Sequence, residues 1–139
     1  MANYYAVARS NYVHVDDIDG LISALKPFPD LMIIRESETS DRYGIFCDDG
    51  GWGIMGMDDD GKEVDFDPEV HIMPYVKEEE VLVMLEVGHE KLRYLVGYAT
   101  AYVRVDNKTR WCNVSINDIY SLASEKFGLP KKGISWSYC

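Results

Sequence analysis

Two apolar runs separated by a short polar break constrain this chain most. Residues 81–87 form a mainly apolar run and residues 92–105 a long one rich in β-branched and aromatic side chains, with Gly88-His89-Glu90-Lys91 between them. Runs of this length on either side of a glycine-containing break read as the two strands of a hairpin. The pair is expected at the centre of a sheet, and the rest of the chain has to extend or cover it.

The flanking segments supply more strands and two helices. Residues 3–9 are aromatic and β-branched enough for a strand, and residues 12–15 continue an extended path. Asp16 and Asp17 then offer N-cap oxygens to a helix whose apolar stripe is Ile18, Leu21, Ile22 and Leu25, stopped by Pro27 and Pro29. Residues 31–36, 43–47, 52–57 and 63–66 read as short strands of a meander of hairpins. Asp48-Asp49-Gly50-Gly51 and Asp58-Asp59-Asp60-Gly61 are its turns, because Asp tolerates the left-handed region and Gly supplies positive φ. A short helix is expected within residues 67–76, with Pro68 in its first turn and Pro74 limiting its length. Asp106-Asn107-Lys108 is a turn before a strand at 110–114. Ser115 with Asp118 resembles a capping box, and opens a final helix with Ile116, Ile119, Tyr120, Ala123 and Phe127 on its apolar face and Gly128 and Pro130 at its end. The expected fold is one α+β domain over residues 1–139. It is a mainly antiparallel sheet of about six or seven strands with an N-terminal and a C-terminal helix packed on it.

Composition fits that expectation. In 139 residues, 47% hydrophobic and 12% aromatic side chains are enough for one core, which excludes intrinsic disorder. No apolar stretch approaches the roughly 20 residues of a membrane span, and the opening Met1-Ala2-Asn3-Tyr4-Tyr5 lacks the basic and apolar regions of a secretory signal. A soluble cytoplasmic protein is expected. Cys47, Cys112 and Cys139 are odd in number, widely spaced and without a Cys-x-x-Cys pair, so neither a disulfide framework nor a zinc site is indicated.

The charge pattern points to a class of partner. The net charge of −10 argues against a nucleic-acid backbone, whose affinity comes from Lys and Arg neutralising phosphates. Residues 1–29 carry three acids and two bases, residues 30–90 eighteen and four, and residues 91–139 three and eight. The acid sits in the middle. In Lys62-Glu63-Val64-Asp65-Phe66-Asp67 the period is two, so Val64 and Phe66 face a core while Glu63, Asp65 and Asp67 form an outward row with carboxylates on the order of 7 Å apart, a spacing that resembles phosphates. Asp48, Asp49, Asp58, Asp59 and Asp60 from the turns, with Glu78, Glu79 and Glu80, complete a candidate binding set of eleven carboxylates. The bland reading of the same residues is an acidic surface that keeps a small protein soluble.

Sites of other kinds fail on context. Gly51-Trp52-Gly53-Ile54-Met55-Gly56 matches a dinucleotide-binding pattern, but it sits between acidic turns and reads as strand, where the motif needs a strand leading into a helix. Asp58-Asp59-Asp60-Gly61 resembles part of a calcium loop, but with Gly61 at the sixth position Gly56 falls where the first ligand belongs and Asp67 where a glutamate belongs. His14, His71 and His89 stand away from one another and from every Cys, so no metal site and no cofactor are expected. A Cys47 or Cys112 nucleophile served by a distant His can be assembled only in space, and a buried inert thiol is the usual fate of a strand Cys. Tyr94, Tyr98 and Tyr102 share one strand face, suited either to packing under a helix or to anchoring an interface.

Asn3-Tyr4-Tyr5 with Ala8-Arg9-Ser10-Asn11-Tyr12, the run from Glu86 to Ala99 and the ending Asn117-Asp118-Ile119-Tyr120-Ser121-Leu122-Ala123 resemble a group of short acidic proteins of bacteria, their plasmids and phages. The resemblance implies a bacterial mobile-element setting and carries no catalytic residue, cofactor or activity. By analogy, small acidic proteins of that setting include the antirestriction and anti-CRISPR inhibitors that mimic DNA. The expected function is thus a non-enzymatic acidic protein, monomeric or homodimeric, that occupies a basic groove on a nucleic-acid-handling protein. Immunity against a basic toxin nuclease uses the same electrostatics. A small hydrolase or nucleotide-modifying enzyme using His89 or Cys47 is the alternative from another class.

Overall fold

A computed structural model describes residues 4–47, 50–91 and 94–135. It is α+β, with nine strands and three helices among those residues. The strands are β1 (Tyr4–Ser10), β2 (Val13–His14), β3 (Met32–Arg35), β4 (Arg42–Cys47), β5 (Met55–Met57), β6 (Glu63–Asp65), β7 (Leu82–Glu90), β8 (Tyr94–Val105) and β9 (Lys108–Ser115). The helices are α1 (Ile18–Leu25), α2 (Pro68–His71) and α3 (Asp118–Phe127), with a 3-10 turn at Met73–Tyr75 following α2.

Seven strands make one antiparallel sheet in the order β2-β4-β1-β7-β8-β9, with β3 on β4. The expected meander is corrected at two points. First, β1 lies between β4 and β7, so the N-terminal strand shares the centre with β7, and β8 moves outward. Every residue of β1 pairs with β7, Tyr4 with Glu90 through Ser10 with Met84, and this long register draws the chain start into the middle. Second, β5 and β6 leave the sheet and pair only with each other, Met55 with Asp65 and Met57 with Glu63. Gly56 is seated against the Pro27 carbonyl and the Phe28 ring with no room for a Cβ, which holds this small hairpin over the α1–β3 connection.

Local boundaries follow turn chemistry. β7 runs through Glu90, so His89 is a strand residue opposite Leu95 and not part of the connection. Lys91 takes the left-handed conformation just beyond it (φ 54°). Asp106 and Asn107 have φ 53° and 62°, which makes the β8–β9 connection a two-residue turn of the kind that matches strand twist. Asp17 caps α1 by accepting the Gly20 N–H at 2.9 Å, Asp67 caps α2 by accepting the Glu69 N–H at 3.0 Å, and Asp118 reaches back to the Ser115 N–H at 2.7 Å.

The core lies on one face of the sheet, here called the front. Ala8, Ile45, Cys47, Leu82 and Met84 point into it from the strands, and Leu21 and Leu25 of α1, Phe28, Trp52, Ile72, Met73 and Val76 cover them. The C-terminal helix behaves otherwise. No residue of α3 is buried, and Ile119, Leu122 and Phe127 stay exposed, so the apolar face expected for this helix meets no core among the described residues. None of the described helices is long and apolar enough to cross a membrane.

Candidate functional site

The described acidic residues of this set divide between two places. The larger group rides on the β5–β6 hairpin. Val64 and Phe66 turn inward and pack on the core, with the Phe66 ring 5.3 Å from Phe28 and 6.2 Å from Trp52, so Glu63, Asp65 and Asp67 point outward and are exposed. At the hairpin tip the Asp58 carboxylate accepts the N–H groups of Asp60 and Lys62 at 3.0 and 2.8 Å. That closes the turn and leaves Asp59 and Asp60 outward. Met55 and Met57 on the paired strand are each 59% exposed, so carboxylates and soft apolar side chains stand side by side.

The second group is tied into the fold. Glu78 accepts the Asn107 N–H at 3.1 Å and lies 3.5 Å from the Arg104 guanidinium, which also bonds the carbonyls of Met73 and Val76. Glu80 accepts the His14 backbone N–H at 2.8 Å and meets the imidazole Nδ1 at 2.8 Å. Burial pushes the Glu80 carboxyl up, but these His14 contacts, with Arg42 behind them, win and hold it below the ordinary glutamate value. Glu79 is exposed between them at φ 65°. Asp48 and Asp49 lie outside the described residues. Among the described residues, Asp59, Asp60, Glu63 and Asp65 form no ion pair, whereas Asp58, Asp67, Glu78 and Glu80 are engaged in turns, caps and pairs.

One polar centre escaped the sequence reading. Glu86 sits in β7 in step with Leu82 and Met84 and is buried. Its Oε2 accepts the Tyr4 hydroxyl at 2.7 Å, and its Oε1 accepts both the Tyr98 hydroxyl at 2.9 Å and the Trp52 N–H at 2.7 Å. The Trp52 indole N–H donates to the Leu85 carbonyl at 3.1 Å. Gly51, at φ 79°, lies so close to the carboxylate that a Cβ would strike it. Burial, then the bond to Glu86 and its charge, pushes the Tyr4 phenol up to about 12, and the same causes push Tyr98 upward. Both phenols therefore stay protonated at neutral pH and donate. Burial, then Asp67 and Glu69, raises Tyr102. With three donors on two oxygens under Trp52, this glutamate is an anchor that ties the segment at Gly51 and Trp52 to the sheet. The one signal for it in the sequence is a single carboxylate at an inward position of an otherwise apolar strand.

The remaining candidates come apart in space. Cys47 faces the core opposite Ala8 and is fully buried, while His89 is on the other face of the sheet opposite Tyr5, its Nδ1 2.8 Å from the Lys91 carbonyl oxygen. A sheet separates this thiol from this imidazole, so they cannot act as nucleophile and base on one substrate. The glycine-rich segment enters β5 and opens no helix; Gly51 and Gly56 are explained by Glu86 and by the Pro27 carbonyl. Among the described residues, no three His, Cys, Asp or Glu side chains are grouped so as to hold a metal ion.

No protein-family model, curated protein or solved structure matches the chain.

Proposed function

We propose that this chain is a non-enzymatic binding protein whose acidic hairpin engages a basic groove on a nucleic-acid-handling protein and blocks it. The observation that carries this reading is the β5–β6 hairpin, where Asp59, Asp60, Glu63 and Asp65 are exposed and unpaired among the described residues beside two exposed methionines. Glu63 and Asp65, two positions apart on one strand, stand on the order of 7 Å from each other, a spacing a row of Arg or Lys side chains can match. Methionine supplies adaptable apolar contact next to charge, the mixture found where protein surfaces meet. Residues 50–80 carry ten acids and two bases, so this segment repels nucleic acid and draws a basic protein from a distance at low salt.

The test is retention from host lysate at about 50 mM salt, eluted by a salt gradient, for the wild type and for a variant with Asp59→Lys, Asp60→Lys, Glu63→Lys and Asp65→Lys. Wild type should hold a basic nucleic-acid-handling protein that salt releases, and the variant should lose it while keeping its circular dichroism. Equal retention by both, or no such protein on the wild type, overturns the proposal.

A further inference from the structure

Among the described residues, the other face of the sheet carries no buried core. Cross-strand register puts Tyr5, Val7 and Arg9 of β1 opposite His89, Val87 and Leu85 of β7, and these opposite Leu95, Gly97 and Ala99 of β8, all pointing away from the core. Met32 and Phe46 extend the face on one side and Val114 on the other. In a chain with twenty-four acidic residues, not one outward position in these pairs is a carboxylate. Val7, Met32, Leu85, Val87, Leu95 and Val114 are each between 42% and 57% exposed, on adjoining strands with no described helix or strand packed over them. A shallow apolar groove of about 310 Å³ runs between Met32 and Phe46 on one side and Val7, Leu85 and Val87 on the other. The chain also enters α3 from this side, because Ile116 lies directly over Gly97. From there α3 leaves Ile119, Leu122 and Phe127 uncovered.

We infer that this face is the interface between two copies of the chain, packed sheet against sheet about 10 Å apart. Area decides for a second copy. The half-exposed side chains named above, with Tyr5 and Ile116, present on the order of 700 Å² of mostly apolar surface, close to what each partner of a stable interface buries and more than a monomer commonly shows in one patch. The surface is self-complementary as a twofold dimer requires, since apolar strands meet the same apolar strands and no carboxylate is buried. Its charged or titratable members in these pairs are Arg9, His89 and, farther out, Arg110 and Lys108, with no carboxylate among them. Arg9 already lies over the Phe46 ring, 4.9 Å from its centroid, where its stem can stay at the groove edge. The acidic hairpin is on the opposite face, so the dimer displays two of them outward.

Sedimentation equilibrium on the full chain tests this, alongside Val7→Lys with Val87→Glu. These two residues face each other across β1 and β7, so the new charges pair within one chain and the monomer keeps its fold. Wild type should be a dimer at about 10 µM, and the double variant should dissociate at least 100-fold more readily with unchanged circular dichroism. Met55→Lys, on the acidic hairpin, should leave the dimer intact. A wild type that stays monomeric at about 100 µM, a folded double variant that dimerises as well as wild type, or dissociation caused by Met55→Lys would each overturn the inference. Loss of partner binding on the four-lysine hairpin variant without loss of the dimer would show the two proposals to be independent.

Discussion

The front and back of the sheet are made by alternate residues of the same strands, yet they meet different fates. Along β7, Leu82, Met84 and Glu86 point to the front and are buried, while Leu85 and Val87 point to the back and are exposed. The back is the more uniformly apolar of the two, and the front is the one that carries a buried charge. Hydrophobicity at a strand position therefore does not say which face is covered. What covers the front is the apolar stripe of α1, the turn around Met73 and the segment at Trp52, and each arrives with polar fixings: the Asp17 cap, Arg104 on the Met73 and Val76 carbonyls, and Glu86 on the Trp52 N–H. Among the described residues, no element is fixed over the back in this way. A face covered by the chain's own helix and turns is pinned by specific hydrogen bonds; a face left smooth and free of carboxylates suits an identical surface.

That contrast can be broken most sharply at Glu86. Glu86→Ala removes one carboxylate and strands the Trp52 N–H and two phenols, with a cavity beside them. Urea unfolding should show a loss of about 3 kcal/mol, and a loss under 1 kcal/mol would mean that the front is held by apolar packing alone. Next in size is a pair of neighbours with opposite orientation. Met84→Ala should cost about 2–4 kcal/mol because Met84 is 2% exposed, whereas Leu85→Ala should cost well under 1 kcal/mol in fold stability and act instead on the dimer. Equal costs to the fold would show the back to be covered within one chain. The smallest effect is expected at the sheet edge. Glu80 titrates below its ordinary value in the folded chain, so its contact with His14 stabilises fully above the usual glutamate pKa and is lost as pH falls through the lower folded value. Glu80→Gln should lower the melting temperature by a few degrees at pH 7, and the gap should close below roughly pH 4. A gap that persists in acid would assign the effect to packing.

Much of the secondary structure was legible because its signals are local. The stripe Ile18, Leu21, Ile22 and Leu25 behind Asp17 gives α1, and the alternation in Glu63-Val64-Asp65-Phe66-Asp67 gives the outward acidic row. Asp106 and Asn107 give a tight turn. The outward row was legible for the same reason, but its separation from Glu78 and Glu80 was not. Whether a carboxylate is spoken for depends on a partner such as His14, sixty-six residues away, and no period in the sequence records that. The exposure of α3 shows the converse, since its stripe was read as facing this chain's sheet and meets no core there.

By itself the sequence determined an α+β chain with an acid-rich middle, strands of alternating character and capped helices, because turn residues, caps and periodicity act within a few positions. The tertiary structure decided that β1 enters the centre of the sheet, that β5 and β6 stand apart, that Cys47 and His89 are on opposite sides, that Glu86 is buried among three donors and that one apolar face stays open. Each of these depends on strand order and on the pairing of residues far apart in the chain, which alternate patterns permit in many arrangements and only the assembled core selects.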